Sequence, residues 1–440
     1  FSGCSKLTYV TFGANVQRIG SSAFSGCTLL QEIDIPDTVT SIGKNAFYNT
    51  ALWNAAGATL IYADNWLVGD AKEPSDKPYS VSIKEGTVGI ADYVFSQKDV
   101  GGVTFSDGIK YIGEGAFSWS FLGYNCVSLT NVHLPTEITE ISDYSFFGCR
   151  SLKMLAIPDK VQRIGMAAFY WCISLGWEEG PLKDEYSSLK LVLPESLEEI
   201  GDYAFYRSGL SEIEFGKNLK KIGRSAFYEN WNLKSVSLPA GVTEISDYAF
   251  YGCSSLERIS MPNVEKIGRS SFYGCSSLKN LALPATLKSI GQMAFQDCFA
   301  LETLVIPASV EKIGDFAFLC GDVLTIFSER AEAGENWSRL WNMRNRPVLW
   351  GCTLSADKTY VVSFTMNDSV ENYTAENGIN APYRAGYTFD GWVSAQKDYD
   401  AKDVYQAPNG TALSALWTEG DPEPDPVPSP TPPPFVEEEE

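Results

Sequence analysis

The chain holds one histidine, His133, and ten cysteines, and side-chain chemistry would have to be built from these first. A lone imidazole needs a nucleophile or a carboxylate in reach to act as a general base. No Ser/His/Asp or Cys/His set can be assembled around His133, and neither a G-x-S-x-G elbow nor a phosphate-binding Gly-rich loop occurs. His133 lies two residues before Pro135 in a strand slot, NVHLP, so it reads as a solvated surface histidine, with a ligand contact as the alternative. Cys4, Cys27, Cys149, Cys172, Cys253, Cys275 and Cys298 each fall three residues after a recurring Phe. Cys126 joins them once a six-residue insertion is removed, and Cys320 comes one residue early. One thiol per repeat is a ladder, not the paired C-x2-4-C ligands of zinc. In-register side chains point the same way, which strains a disulfide. The ladder therefore reads as buried thiols used as small hydrophobes. Cys352 lies outside it and reads as the exposed, reactive one. The 55 acidic residues include no D-x-D-x-D-G calcium loop. Carboxylate pairs such as Glu198-Glu199 fall on a turn side with no sign of a cleft, so a glycosidase pair is not supported. The expectation is a protein with no catalytic residue, no metal and no cofactor.

The elements that carry these residues repeat. The recurring Phe stands at 1, 24, 47, 95, 117, 146, 169, 205, 227, 250, 272, 295 and 318. Most intervals are 22 or 23, and the 48-residue interval hides one degenerate unit, giving about 14 rungs. A 20–29-residue period with Leu/Ile spacing is a leucine-rich-repeat signal. In LETLVIP (301–307), Leu304 and Ile306 alternate with Thr303 and Val305, the period of a strand with one face buried. Pro ends the strand because it cannot donate to a ladder. The following I-G-x-x-A-F turns back, with Ile, Ala and Phe inward and Gly permitting the turn. A single rung cannot cover its apolar edge, so rungs stack.

The expected fold class is an α/β (β-rich) leucine-rich-repeat solenoid or horseshoe with a parallel sheet, plus a small β-grasp-like C-terminal module. The solenoid spans 1–330, with insertions near 50–80, 118–125 and 173–186. The run 58–70 reads as a hairpin around Asp64-Asn65. Trp337, Leu340 and Trp341 have helical spacing, and 331–351 is expected to cap the last rung. Residues 352–418 form the small module, with strands at 360–364, 386–392 and 413–417. From 419 the composition becomes a Pro-rich acidic linker. A net charge of −21 argues against nucleic acid. No apolar run approaches the ~20 residues of a membrane helix. The chain opens in the Phe slot of a rung, so it reads as a trimmed fragment.

The rung IGxxAFxxCxxLxxIxIPxxV, as in 141–158 and 267–284, resembles the leucine-rich repeats of BspA-like bacterial surface proteins. LIYADNWLVGD followed by VSIKEGTVGIADYVF resembles an insertion of that family, and the GYTFDGW and LSALW module resembles the internalin B-repeat. The resemblance implies a secreted or wall-associated bacterial adhesin that engages host matrix proteins or other cells.

Two surfaces are candidates for binding. The concave strands expose Glu32, Asp34, His133, Lys190, Glu212, Glu214 and Arg258. These residues are mixed and lack an aromatic anchor. The inserted edge carries Trp119, Phe121, Tyr124, Trp171, Trp177 and Trp231, which either form a binding ridge or pack over the rungs beneath. The Tyr after each Phe (170, 206, 228, 251 and 273) reads as a structural stack. The expected function is non-enzymatic surface adhesion, with a protein or glycan partner. A structural stalk and a glycan-binding or glycan-processing module are the alternatives.

Overall fold

The computed structural model describes residues 1–55, 59–72, 77–118, 127–179, 186–188, 190–356, 360–366, 381–384, 386–400, 403–408 and 410–420. The fold is a β-solenoid of leucine-rich-repeat rungs. Each regular rung contributes two short strands on opposite sides of one apolar core. On the turn side the strands are two residues long and stack in parallel with Ile on Ile. One such run goes Ile141, Ile164, Ile200, Ile222, and another Ile245, Ile267, Ile290, Ile313, ending on Trp337. On the other side the Leu/Ile-rich strands form a second row, here called the strand face. Asn131–His133 pairs with Met154–Ala156, Lys190–Val192 with Glu212–Glu214, and Ser235–Ser237 with Arg258–Ser260. Helix is almost absent, and the described residues include one 3-10 turn, Val404–Gln406.

The repeat Phe forms the spine. From Phe1 to Phe47, and again from Phe95 to Phe318, successive rings lie stacked with centroids 5.1 to 5.6 Å apart. All are buried except Phe1. From Phe95 to Phe318 each Phe N–H also donates to the carbonyl of the residue before the next rung's aromatic slot, usually Ala, as from Phe205 to Ala226 at 2.8 Å, and Ser at 145 and 271.

The I-G glycine has a different reason from the one its turn position implied. Its φ is not left-handed; it is required by close approach. A Cβ on Gly223 would lie 2.5 Å from the backbone N of Asp202, and one on Gly291 2.5 Å from the carbonyl carbon of Gly268. The approach lets the glycine N–H donate to the Ile carbonyl of the rung before, as from Gly223 to Ile200 at 2.8 Å. Left-handed backbone falls instead two residues either side of the Phe: Tyr203 and Arg207 flank Phe205 with φ of 58° and 50°. Serine replaces the glycine at Ser142 and Ser246. There the ladder on the turn side is interrupted, and the Ser hydroxyl donates to Ile112 and Ile222 at 2.6 Å instead.

The degenerate rung within the 48-residue interval is made by a hairpin. Leu60–Ala63 runs antiparallel to Trp66–Asp70 around Asp64, whose φ is 51°. The second strand then joins the stack in parallel, Leu67 against Ile90. The helical spacing at Trp337 and Trp341 does not make a helix. Asn336–Trp337 is one more parallel strand, with Trp337 opposite Ile313. Phe318 N–H donates to the Trp341 carbonyl, so Trp341 occupies the Ala slot. The I-G-x-x-A spacing is also i, i+4, which is why the sequence reads as helical. The Trp341 ring then lies edge-on over Phe318 at 6.0 Å and closes the spine.

The last described part is a five-stranded antiparallel sheet. Its spatial order is Thr353–Leu354, Val361–Thr365, Ala412–Glu419, Tyr387–Val393, Asp398–Tyr399. Its core of Leu354, Phe364, Met366, Trp392 and Leu413 is shared with Val305, Phe327 and Leu349 of the last rungs. Thr303 and Val305, which alternation places outward, are therefore buried at 3% and 4% exposure. Cys352 is buried in the same core and not exposed, and burial pushes its thiol up to about 12.

Candidate functional site

The strand face is open before that module covers it. Glu32, Asp34, His133, Lys190, Glu212, Glu214 and Arg258 are all exposed, each beside a buried Ile, Val or Leu or the half-buried Ile259. Period-2 alternation explains this: one side of each strand enters the core and the other meets solvent. Lys190 and Glu214, on adjacent paired strands, form an ion pair. The other candidates are spread along the stack and do not converge.

Convergence occurs at one place. The insertion after Cys172 leaves the rung beyond Leu175, at the entry to the strand face, as the hairpin Trp177–Glu179 and Tyr186–Ser188. Next to it the strand ladder is broken: Met154–Ala156 pairs back to Asn131–His133, and Lys190–Val192 pairs forward to Glu212–Glu214. A cleft of about 450 Å³ opens between them. Val132, Leu155, Leu175 and Leu191 make its floor, and Asn131, His133, Lys153 and Lys190 its rim. Leu155 is only half-buried, whereas its counterparts Val132, Leu191 and Val236 are 2%, 5% and 3% exposed. His133 and Lys190 thus share one site. Lys153, Leu155 and Leu175 were not legible as site residues, because only the insertion that separates the strands signals them.

The aromatic edge is less unified. Trp119, Phe121 and Tyr124, with Cys126, lie outside the described residues, as do 421–440. Trp177 is placed by its strand, in register with Ser188. Trp171 is half-buried, tilted against Tyr170 at 5.7 Å and under the Arg150 guanidinium at 5.1 Å. Trp231 is 39% exposed, with Arg207 over its ring at 5.5 Å. Arg207 also pairs with Glu229 at 2.5 Å. The tyrosine column runs from Phe147 through Tyr170, Tyr206, Tyr228 and Tyr251 to Tyr273 with centroids 4.5 to 4.7 Å apart. Tyr170, Tyr206, Tyr228 and Tyr251 each have a ring on both faces, so the inner column offers edges and hydroxyls to solvent rather than flat platforms. Burial, the largest cause, holds the Tyr206 phenol up to about 12.

The thiols are bonded in a regular way. Each Sγ–H of Cys27, Cys149, Cys172, Cys253, Cys275, Cys298 and Cys320 donates to the Phe carbonyl of the rung before, at 3.1 to 3.3 Å. Asn230 takes the same slot and donates to Phe205 at 2.7 Å. Among the described residues no three His, Cys, Asp or Glu side chains are grouped to hold a metal ion. No helix among them is long and apolar enough to cross a membrane.

Comparison with known proteins places these features in context. The family described as BspA type leucine rich repeat region matches residues 1–62, 88–177, 183–268 and 243–331, in six copies. No curated protein matches. Similar solved structures include a leucine-rich repeat protein from Bacteroides ovatus ATCC 8483, 28% identical over 74% of this chain and 80% of that one, TM-score 0.48. The T. pallidum leucine rich repeat protein is 26% identical over 48% and 82%, TM-score 0.34. The pneumococcal vaccine antigen PcpA is 21% identical over 75% and 82%, TM-score 0.42.

Proposed function

The chain belongs to the BspA-type leucine-rich-repeat family, and from that premise we propose that it is a non-enzymatic binding scaffold of a bacterial surface. It engages a host matrix protein, a glycan or a neighbouring cell. The observation that carries this reading is the open strand face. From Glu32 and Asp34, on an extended segment, to His133, Lys190, Glu212, Glu214 and Arg258, on short strands, it presents a row of charged and polar side chains whose neighbours in sequence are locked in the core. A row of this kind, held by packing, can be varied without loss of fold, which suits recognition. Secretion to the surface or the cell wall follows the family and not a feature of the described residues.

Binding of the purified chain to immobilised matrix proteins and to a glycan array tests the reading. Charge reversal at Glu212 and Arg258 is expected to weaken binding, while Trp231→Ala leaves it near wild type. Equal binding by all three variants would remove the strand face. Loss with Trp231→Ala alone would move the site to the aromatic edge. An absence of binding throughout would favour a stalk that presents another domain.

A further inference from the structure

The return segments form one edge of the solenoid, and over 200–275 that edge has a period of its own. After each Ile-Gly or Ile-Ser pair, Asp-Tyr alternates with Arg-Ser: Asp202-Tyr203, Arg224-Ser225, Asp247-Tyr248, Arg269-Ser270. Ser225 and Ser270 are buried, whereas Tyr203 and Tyr248 are half-buried. A tyrosine thus recurs once every two rungs, tilted by 49° and 48° against Tyr206 and Tyr251 of the stacked column. The column has the same period in its hydroxyls. Tyr170 is hydrogen-bonded to Tyr206, and Tyr228 to Tyr251. A hydroxyl carries one hydrogen, so each bonded pair uses one and leaves the other to point outward. Tyr203 to Tyr273 lie within 190–356, a stretch described without a gap.

We propose that this edge docks a proline-rich segment of a partner protein in the polyproline II form, laid along the stack with one turn per two rungs. The repeats match: two steps of 4.5 to 4.7 Å along Tyr206, Tyr228, Tyr251 and Tyr273 span about 9 Å, and one polyproline II turn of three residues spans about 9.3 Å. The chemistry matches as well. Such a segment has no internal hydrogen bonds, and proline has no N–H, so its carbonyls are left to accept. In each turn one carbonyl accepts from an outward tyrosine hydroxyl, and a proline ring at every third residue packs against Tyr203 and then Tyr248. Its extended form is preset, so little freedom is lost on docking to an aromatic surface. Tyr and Arg are also the side chains that dominate binding energy at interfaces. Beyond Tyr273 the edge continues with the half-buried Met293, Phe316 and Leu319. This surface is distinct from the strand face and goes beyond the adhesive reading given to it.

The full chain is titrated with fluorescein-labelled decaproline, and in parallel with a labelled Gly-Ser decamer of equal length, read by anisotropy. Decaproline is expected to bind saturably and the Gly-Ser decamer not. A neutral hydrogen bond is worth about fivefold in affinity, so Tyr228→Phe combined with Tyr251→Phe, which keeps both stacked rings, should weaken decaproline about fivefold with the thermal transition unchanged. Tyr248→Ala should weaken it about tenfold. Equal binding of the two peptides overturns the proposal, as does an affinity unchanged in the double Phe variant and in Tyr248→Ala. So does an absence of saturation at millimolar decaproline. Displacement by cellohexaose as good as by unlabelled decaproline would make the edge a glycan surface instead. The chain's own 421–434, DPEPDPVPSPTPPP, is proline-rich, so the titration is repeated on the full chain with its eight prolines there changed to alanine. Tighter binding to that variant than to wild type would make the chain's own segment the occupant and overturn the assignment to a partner.

Discussion

A cysteine three residues past the repeat Phe fills a small apolar slot and also supplies the hydrogen that the Phe carbonyl of the previous rung accepts. Cys253 does this for Phe227 at 3.2 Å while fully buried. Cys253→Ser keeps the donor and is expected to be close to neutral, whereas Cys253→Ala leaves the Phe227 carbonyl only its long bond from the Asn230 N–H, 3.4 Å, and should cost about 1 kcal/mol. Equilibrium urea denaturation of the two variants measures the difference. Burial holds the Cys253 thiol up to about 12, so at pH 8 it should resist a thiol reagent that labels the exposed Cys4, until the protein is unfolded. Asp92 gives a pH dependence. Burial, with the charge of Glu114 adding, raises its carboxyl from 3.8 to about 6. The folded state therefore holds the proton more tightly than the unfolded chain. Its contribution to stability is complete below pH 3.8 and is lost as pH rises towards 6. Asp92→Asn should raise the Tm at pH 7 and converge on wild type at pH 4. The cysteine spacing showed the buried ladder of Cys27, Cys149, Cys172, Cys253, Cys275, Cys298 and Cys320, but it also counted Cys4, which is exposed. The misassigned Cys352 shows the limit: what buries it is a sheet that arrives from later in the chain, which local spacing does not record.

The rung was the most legible element, since its inward positions have the chemistry that stacking needs: Leu and Ile in the strand, Ile, Ala and Phe in the return. Phe227→Ala removes one member of a column with rings on both sides, and should cost about 3–5 kcal/mol, read from denaturant midpoints. The glycine of I-G was legible as a requirement but not in its cause. Gly223→Ala would place a methyl 2.5 Å from the Asp202 backbone and push the adjoining rungs away from each other. A loss of about 1–3 kcal/mol is expected, with faster amide exchange at Gly223 and its neighbours. Sequence pattern misread the Trp337 rung as helical because a five-residue return and a helical turn share one spacing. Only the partner strand at Lys312–Ile313 distinguishes them. The cleft was equally hidden. An insertion is visible in sequence, but that it separates Ala156 from Val192 is a property of strand pairing.

At the scale of the molecule, the C-terminal sheet has a core of its own, laid on the outer side of the last solenoid strands, and is not a bead on a tether. Phe327 and Val305 stand on solenoid strands but lie in the second core, under the sheet. Phe327→Asp should therefore unseat the sheet and loosen the last rungs together, seen as new protease cleavage near residue 350 and early loss of the Trp392 environment on heating. A strand pattern alone placed Val305 outward, because alternation describes one layer and cannot foresee a second layer laid over it. The serines at 142 and 246 carry a further consequence. At each, the ladders of both faces are interrupted together, and rings, turn bonds and one hydroxyl bridge the junction. Under a pulling force such a stack is a segmented spring. Tension along the stack would first stretch the joints before Ser142 and Ser246. The blocks between them would hold, and the chain would lengthen in steps before any rung unravelled.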